Sequence, residues 1–124
     1  MLSLFAKYKK TSWVMTILIA IMIFYISSLT FPPGTRATTN LSIVYHISAF
    51  FFFAFFLFVS SQPRKKELVL VVFLIAIAYS IIDEIHQFFV PGRSCSLFDF
   101  FLDSSGIIFA FMVYLILKIK KQKK

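Results

Sequence analysis

The feature that most constrains this chain is a series of four long apolar runs, which fill most of its 124 residues. They cover about residues 13–29, 41–60, 68–90 and 97–117, and short polar segments separate them. An α-helix rises about 1.5 Å per residue, so runs of this length match the roughly 30 Å hydrocarbon core of a bilayer. Backbone in lipid must satisfy its own hydrogen bonds, and the alternating pattern of membrane β-strands is absent. The sequence therefore predicts an all-α fold, an integral membrane four-helix bundle that forms a single domain over residues 1–124.

The composition excludes the main alternatives. Apolar residues make up 60% of the chain and charged residues 15%, whereas soluble domains have about 45–50% and about 25%. A soluble domain of this size could not bury so much apolar surface, and intrinsic disorder requires low hydrophobicity. The net charge of +8 would favour a nucleic-acid partner only if a folded soluble surface presented it. We therefore expect membrane lipid, and no nucleic acid, as the partner of the basic residues.

The basic residues are distributed unevenly among the polar segments. The N-terminal segment, the middle loop and the C-terminal tail carry eleven of the 13 Lys and Arg residues, whereas the other two loops carry only Arg36 and Arg93. Cytoplasmic loops carry the excess of Lys and Arg in membrane proteins. The first run is too long for a secretory signal and has no small-residue cleavage site after it. The sequence thus predicts a multi-pass protein of the cytoplasmic (plasma) membrane with both termini in the cytoplasm.

This topology gathers the ionisable residues of the spans near the outer side. His46 follows the start of the second span, Asp83 precedes the end of the third, and Asp103 follows the start of the fourth. At 1.5 Å per residue, these depths are all roughly 7–10 Å. Four other polar residues lie at or above this level: Glu84, His86, Gln87 and Asp99. Ionisable groups within a span cost about 2.5–3.5 kcal/mol each and usually pair or line a cavity. We therefore expect a polar pocket open to the outside.

Several roles are compatible with such a pocket. Hydrogen bonds between membrane helices contribute only about 0.6 kcal/mol on average, so seven polar residues are too costly to serve as helix contacts alone. A metal site could use Asp83-x-x-His86 with Glu84 and either Asp99 or Asp103, and an acid/base site could use the same carboxylates with a histidine. No established metal-binding or nucleophile motif accompanies these residues. The sequence alone therefore assigns no catalytic residue, metal, cofactor or oligomeric state.

Two apolar features bear on packing. Gly106 and Ala110 form a small-xxx-small stripe, which favours close approach of the fourth span to a neighbour. The Phe-rich segment 50–58 is expected to face lipid. The single cysteine, Cys95, is expected in an outer loop, where it has no partner for a disulfide within the chain.

The third span and the loop after it contain a specific motif, Asp83-Glu84-Ile85-His86-Gln87 leading into Pro91-Gly92-Arg93, followed by Asp99, Asp103 and Gly106. This pattern resembles the VanZ-like family of small membrane proteins, whose signature is Asp-Glu-x-x-Gln before Pro-Gly-Arg and then Asp, Asn and Gly on the next helix. His46 ahead of an aromatic run and the segment 28–33 also resemble that family, so the similarity covers about residues 13–117. Two departures stand out: the Asp-Lys that typically precedes the His is missing at 40–42, and Asp103 replaces the Asn.

The resemblance implies a role at the cell envelope, because the family's name-giving member is associated with reduced susceptibility to teicoplanin-type glycopeptides. Together with the polar pocket, it leads to the hypothesis of a protein that binds a cell-envelope precursor or a glycopeptide-related ligand. The floor of the pocket would comprise His46, Asp83, Glu84, His86 and Gln87, with Asp99 and Asp103 as a wall and Arg93 at the rim. Two alternatives stay open: a membrane-embedded enzyme, acid/base or metal-assisted, that acts on a lipid-linked substrate, and a membrane subunit that binds a partner protein.

Overall fold

The computed structural model describes residues 7–30 and 40–122 and contains four helices: α1 (Lys9–Ser27), α2 (Asn40–Ser61), α3 (Lys66–Phe88) and α4 (Leu97–Gln122). No strand occurs within these described ranges. Each helix is long and apolar enough to cross a membrane, α4 over its Leu97–Ile119 part. The predicted all-α fold with four candidate spans is therefore confirmed. The segment 31–39, which includes Arg36, and the final lysines of the tail lie outside the described side chains.

The helices extend beyond the apolar runs at some ends and stop short of them at others. α1 begins at Lys9 and α3 at Lys66, because helical hydrogen bonding continues through polar residues that hydropathy does not mark. α3 ends at Phe88, two residues before the apolar run ends. The turn that follows contains Pro91, which cannot donate a backbone hydrogen bond, and Gly92 at φ 80°, a backbone conformation that glycine adopts readily.

The four helices run alternately up and down. At one end of the bundle, His46 near the start of α2 forms a hydrogen bond with Asp103 near the start of α4. Ser80, about two thirds of the way along α3, also donates a hydrogen bond to Asp103. At the other end, Lys118 of α4 donates to the carbonyl oxygen of Pro63, just after α2, at 2.9 Å. We call the first end the polar end and the second the basic end. The C-terminus of α1 also lies at the polar end, beside α3.

The core of the bundle is built on α2, whose most extensive packing partner is α4. Phe50, Phe53 and Phe58 are buried in this core, and Phe52 is the one Phe of the segment 50–58 that is largely exposed. The expectation that this segment faces lipid is therefore wrong for most of its side chains. Lipid tails are as apolar as a protein core, so hydropathy alone does not separate the two environments.

Gly106 sets the distance between α2 and α4. A Cβ atom added at Gly106 would collide with the carbonyl oxygen of Ile47 and would lie 3.0 Å from the backbone nitrogen of Phe51. Ala110, one turn further along α4, is fully buried. The close approach predicted from the small-residue stripe is thus confirmed. It places Asp103, three residues before Gly106, directly against the start of α2.

Candidate functional site

Six polar side chains from three helices are buried together at the polar end. We call them the polar cluster; each is at most 4% exposed, and its members are His46, Ser80, Asp83, Glu84, Gln87 and Asp103. The four residues that α3 contributes are spaced i, i+3, i+4 and i+7, which places them on one face of that helix. Such a face points towards α2 and α4 because apolar residues on the remaining circumference of α3 are exposed, for example Ile81, Ile82 and Ile85.

Asp103 is the centre of one hydrogen-bonded group. Its Oδ1 atom lies 2.8 Å from Nδ1 of His46, and both side chains are buried. Its Oδ2 atom accepts a hydrogen bond from the Ser80 hydroxyl at 3.2 Å. Both oxygens of the carboxylate therefore have partners, and the group joins α2, α3 and α4.

Asp83 belongs to a second group that includes α1. Its Oδ2 atom accepts a hydrogen bond from Nε2 of Gln87 at 3.0 Å, one turn further along α3. The same amide nitrogen lies 3.5 Å from the hydroxyl oxygen of Ser27 at the end of α1. The Ser27 hydroxyl also interacts with the Asp83 carboxylate, but the Oδ1 atom of Asp83 is buried and forms no hydrogen bond of good geometry with a described residue.

Glu84 connects the polar cluster to the segment between α3 and α4. Its Oε2 atom accepts a hydrogen bond from the backbone N–H of Ser96 at 2.9 Å. Its Oε1 atom is buried and, like Oδ1 of Asp83, has no partner among the described residues. Native proteins leave few buried polar atoms unpaired, and an unpaired acceptor costs about 1–3 kcal/mol. Two such carboxylate oxygens in one cluster therefore indicate groups that are available to a ligand.

His86 and Arg93 contact α1 and are not part of the polar cluster. Nε2 of His86 lies 2.9 Å from the hydroxyl oxygen of Ser28, and the His86 ring stacks on Phe24 with 4.3 Å between ring centroids. Arg93 donates to two backbone carbonyl oxygens near the end of α1, at 2.6 and 3.1 Å. Terminal carbonyls of a helix lack partners within the helix, and a cation is favourable there. Both residues thus hold the end of α1 against the rest of the bundle.

Asp99 lies in the first turn of α4, four residues before Asp103, and is therefore nearer to the tip of the bundle than the polar cluster. It is partly buried, and its backbone N–H donates to the hydroxyl oxygen of Ser96 at 3.3 Å, as in a helix N-cap. A carboxylate is favourable in the first turn of a helix because of the helix dipole. Asp99 therefore has a local structural role. The neighbouring Cys95 is free and exposed.

Three members of the cluster could hold a metal ion. His46, Glu84 and Asp103 each offer one ligand atom, and these atoms lie within 4.8 Å of one another. The metal site considered from the sequence relied on His86 as its histidine. In the structure the histidine beside the carboxylates is His46, which is nearly forty residues away along the chain from Glu84.

The polar cluster is closed, whereas the sequence suggested an open pocket. The segment 89–96 covers it, through Ser96 on Glu84 and Arg93 on α1. A cavity of about 340 Å³ lies elsewhere, between α1 and α2, and is lined mainly by apolar residues: Met15, Ile19, Met22, Tyr45, Ser48, Ala49, Phe52 and Phe56. Access of a ligand to the polar cluster therefore requires the segment 89–96 or the end of α1 to move.

Sequence reasoning missed the serines that support the cluster. Ser80 bonds Asp103 and Ser27 approaches Gln87, yet both serines are unremarkable in the sequence. A signal did exist for Ser80, because it precedes Asp83 and Glu84 by three and four residues and so shares their helix face. Ser27 gave no such signal.

The fold and the polar cluster together define a class, small multi-pass membrane proteins with buried ionisable groups at one end of a helical bundle. The model of the VanZ/LLP1 family matches residues 5–118, and the chain belongs to this family. The resemblance seen in the sequence is thereby confirmed. Neither the curated proteins nor the solved structures include a significant match to the chain.

Proposed function

We propose that this VanZ-family protein lies in the cytoplasmic membrane with both termini in the cytoplasm, and that its polar cluster binds the polar head group of a cell-envelope precursor at the outer leaflet. Through this binding it would reduce susceptibility to glycopeptide antibiotics of the teicoplanin type. The observation that carries the proposal is the pair of unpartnered, buried carboxylate oxygens in Asp83 and Glu84.

The chemistry of the cluster favours a ligand that donates hydrogen bonds. Oδ1 of Asp83 and Oε1 of Glu84 are acceptors, and the free energy lost by burying them unpaired is regained when a ligand supplies N–H or O–H groups. Sugar and peptide head groups of envelope precursors carry many such donors. A glycopeptide-related ligand carries the same kinds of donor groups and is the alternative ligand for this cluster.

The orientation rests on the positive-inside rule and can be tested with the protein's single cysteine. Cys95 is free and exposed at the polar end, so a membrane-impermeant maleimide should label it in intact cells. As the matched control, the double variant Cys95→Ser/Glu67→Cys carries its only thiol at the basic end and should react only after permeabilisation. Labelling of Cys95 only in permeabilised cells would overturn the orientation.

The role in susceptibility is tested in a strain that lacks the protein. Complementation with the wild type should raise the minimal inhibitory concentration of teicoplanin, and complementation with Glu84→Gln should not. Glu67→Gln, the same substitution at an exposed position of α3 at the basic end, should behave as the wild type. Equal inhibitory concentrations with and without the wild-type protein would refute the antibiotic part of the proposal.

A membrane-embedded enzyme that acts on a lipid-linked substrate is the second candidate. The grouping of His46, Glu84 and Asp103 favours it, because an imidazole and two carboxylates can perform acid/base or metal-assisted chemistry. The partner-binding alternative makes a different prediction: Asp83→Asn keeps the shape of the side chain and should be tolerated by a protein interface. Loss of function in Asp83→Asn at normal protein levels would favour the ligand-binding or enzymatic role.

A further inference from the structure

The polar cluster places two carboxylates and one imidazole side by side in a part of the bundle with almost no exposed surface. His46, Glu84 and Asp103 each bring one ligand atom to within 4.8 Å of the others. Each side chain comes from a different helix, and none is more than 4% exposed. Oε1 of Glu84 has no hydrogen-bond partner among the described residues, although it is buried within this group. An unpartnered carboxylate oxygen can accept a cation as well as a hydrogen-bond donor, and its grouping with His46 and Asp103 favours the cation.

The charges within the group favour a divalent ion. Two ionised carboxylates in a low-dielectric interior repel each other, and a buried charge without a partner is strongly unfavourable. A neutral His46 with ionised Glu84 and Asp103 carries two negative charges, which one divalent cation neutralises.

The geometry and its supporting contacts are also those of a metal site. The 2.8 Å between Nδ1 of His46 and Oδ1 of Asp103 is a hydrogen-bond distance. Adjacent ligand atoms that each lie about 2.0–2.2 Å from one ion are about 2.8–3.1 Å apart in octahedral coordination and about 3.3–3.6 Å apart in tetrahedral coordination. The observed distance therefore suits an octahedral ion, and a tetrahedral Zn²⁺ would require the two atoms to move apart by about 0.5 Å. Outer hydrogen bonds usually orient metal ligands, and here Ser80 orients Asp103 while the backbone of Ser96 orients Glu84.

We infer that His46, Glu84 and Asp103 form a binding site for a divalent transition-metal ion, with Zn²⁺ or Mn²⁺ as the expected class. Mixed nitrogen and carboxylate ligands suit these ions, whereas Mg²⁺ and Ca²⁺ prefer oxygen ligands alone. Three protein ligands leave at least one coordination position for water or a ligand oxygen. The inference deepens the proposed function because it concerns the same cluster, and Oδ1 of Asp83 stays available to donors of the head group.

Metal binding is measured on the purified full-length chain in detergent, after removal of any His-tag and dialysis against a chelator. Isothermal titration with Zn²⁺ and Mn²⁺ should give one ion per chain. Glu84→Gln and Asp103→Asn should each weaken the affinity by at least about tenfold, since changes even in outer-shell partners cost about 10–100-fold. Circular dichroism checks that each variant keeps its helix content. If one variant fails to fold, the other still tests the inference, because the two substitutions are measured separately.

His86→Gln and Glu67→Gln are the matched controls, since both lie on α3 outside the proposed ligand set and should bind as the wild type does. The visible absorption of bound Co²⁺ gives a second readout, which Glu84→Gln should change and Glu67→Gln should not. No binding by the wild type, binding of Mg²⁺ alone, or equal affinity in all variants would overturn the inference. If the metal experiment fails in this way but teicoplanin susceptibility still depends on Glu84, the metal site is refuted and the proposed function is not.

Discussion

The contact between His46 and Asp103 makes a quantitative prediction about how the bundle is held together. A hydrogen bond to a charged group contributes about 1.5–3 kcal/mol in soluble proteins, whereas contacts between membrane helices average about 0.6 kcal/mol and reach about 1.7. This contact is short at 2.8 Å, both side chains are buried, and Ser80 fixes the Asp103 carboxylate. We therefore expect a coupling energy at the upper end, about 1–2 kcal/mol, which is a factor of about 5–30 in the unfolding equilibrium.

A double-mutant cycle measures this coupling energy. The wild type, His46→Ala, Asp103→Ala and the double variant are unfolded with SDS in mixed micelles, with a chelator present, and followed by circular dichroism. A second cycle that pairs His46→Ala with Glu67→Ala is the control, because Glu67 is exposed at the basic end of the bundle, far from His46. Its coupling should lie within about 0.5 kcal/mol of zero. Equal coupling in the two cycles would refute the specific pairing of His46 with Asp103.

Two further predictions concern the packing of the helices. Gly106→Ala forces a methyl group onto the carbonyl of Ile47, so it should destabilise the bundle by about 1–3 kcal/mol despite the better helix propensity of Ala. Ser105→Ala, at the exposed neighbouring position, should change stability by less than about 0.5 kcal/mol in the same SDS titration. Arg93→Ala removes the donor to the last carbonyls of α1, so hydrogen exchange of the final turn of α1 should accelerate by about three- to tenfold, or 0.6–1.4 kcal/mol. Unchanged exchange in that turn would contradict the anchoring role of Arg93.

The number and type of helices could be predicted from the sequence because the length of each apolar run matches the bilayer. The side chains that each helix buries could not be predicted equally well. Phe50, Phe53 and Phe58 are core residues and Phe52 is exposed, yet all four have the same hydropathy. In a soluble protein polar residues mark the outer face of a helix, but lipid imposes no such mark. The observed starts of α1 and α3 lie a few residues before the predicted ones, because helical hydrogen bonds continue into polar flanking residues such as Lys66, which hydropathy does not mark.

The polar end of the bundle could be predicted because depth along each span follows from residue number. That reasoning brought His46, Asp83, Glu84 and Asp103 to one level, and the structure places all four in one buried cluster. The rotation of each helix about its own axis could not be predicted from residue number. His86 lies on the flank of α3 that meets α1, and a rotation of α3 by a fraction of a turn would have placed it in the cluster. Only packing against the other helices fixes that rotation.

The central claim is that the carboxylates of Asp83 and Glu84, each with one buried and unpartnered oxygen, are kept for binding and lower the stability of the bundle. Glu84 tests this claim most directly, because one of its carboxylate oxygens is buried without a partner. Residues retained for function commonly reduce stability, and replacing them commonly raises it. The free energy of unfolding of Glu84→Gln, measured in SDS titrations with a chelator, should equal or exceed that of the wild type by up to about 2 kcal/mol. A loss of more than about 1 kcal/mol would contradict the account, because it would show that Glu84 serves to hold the helices together.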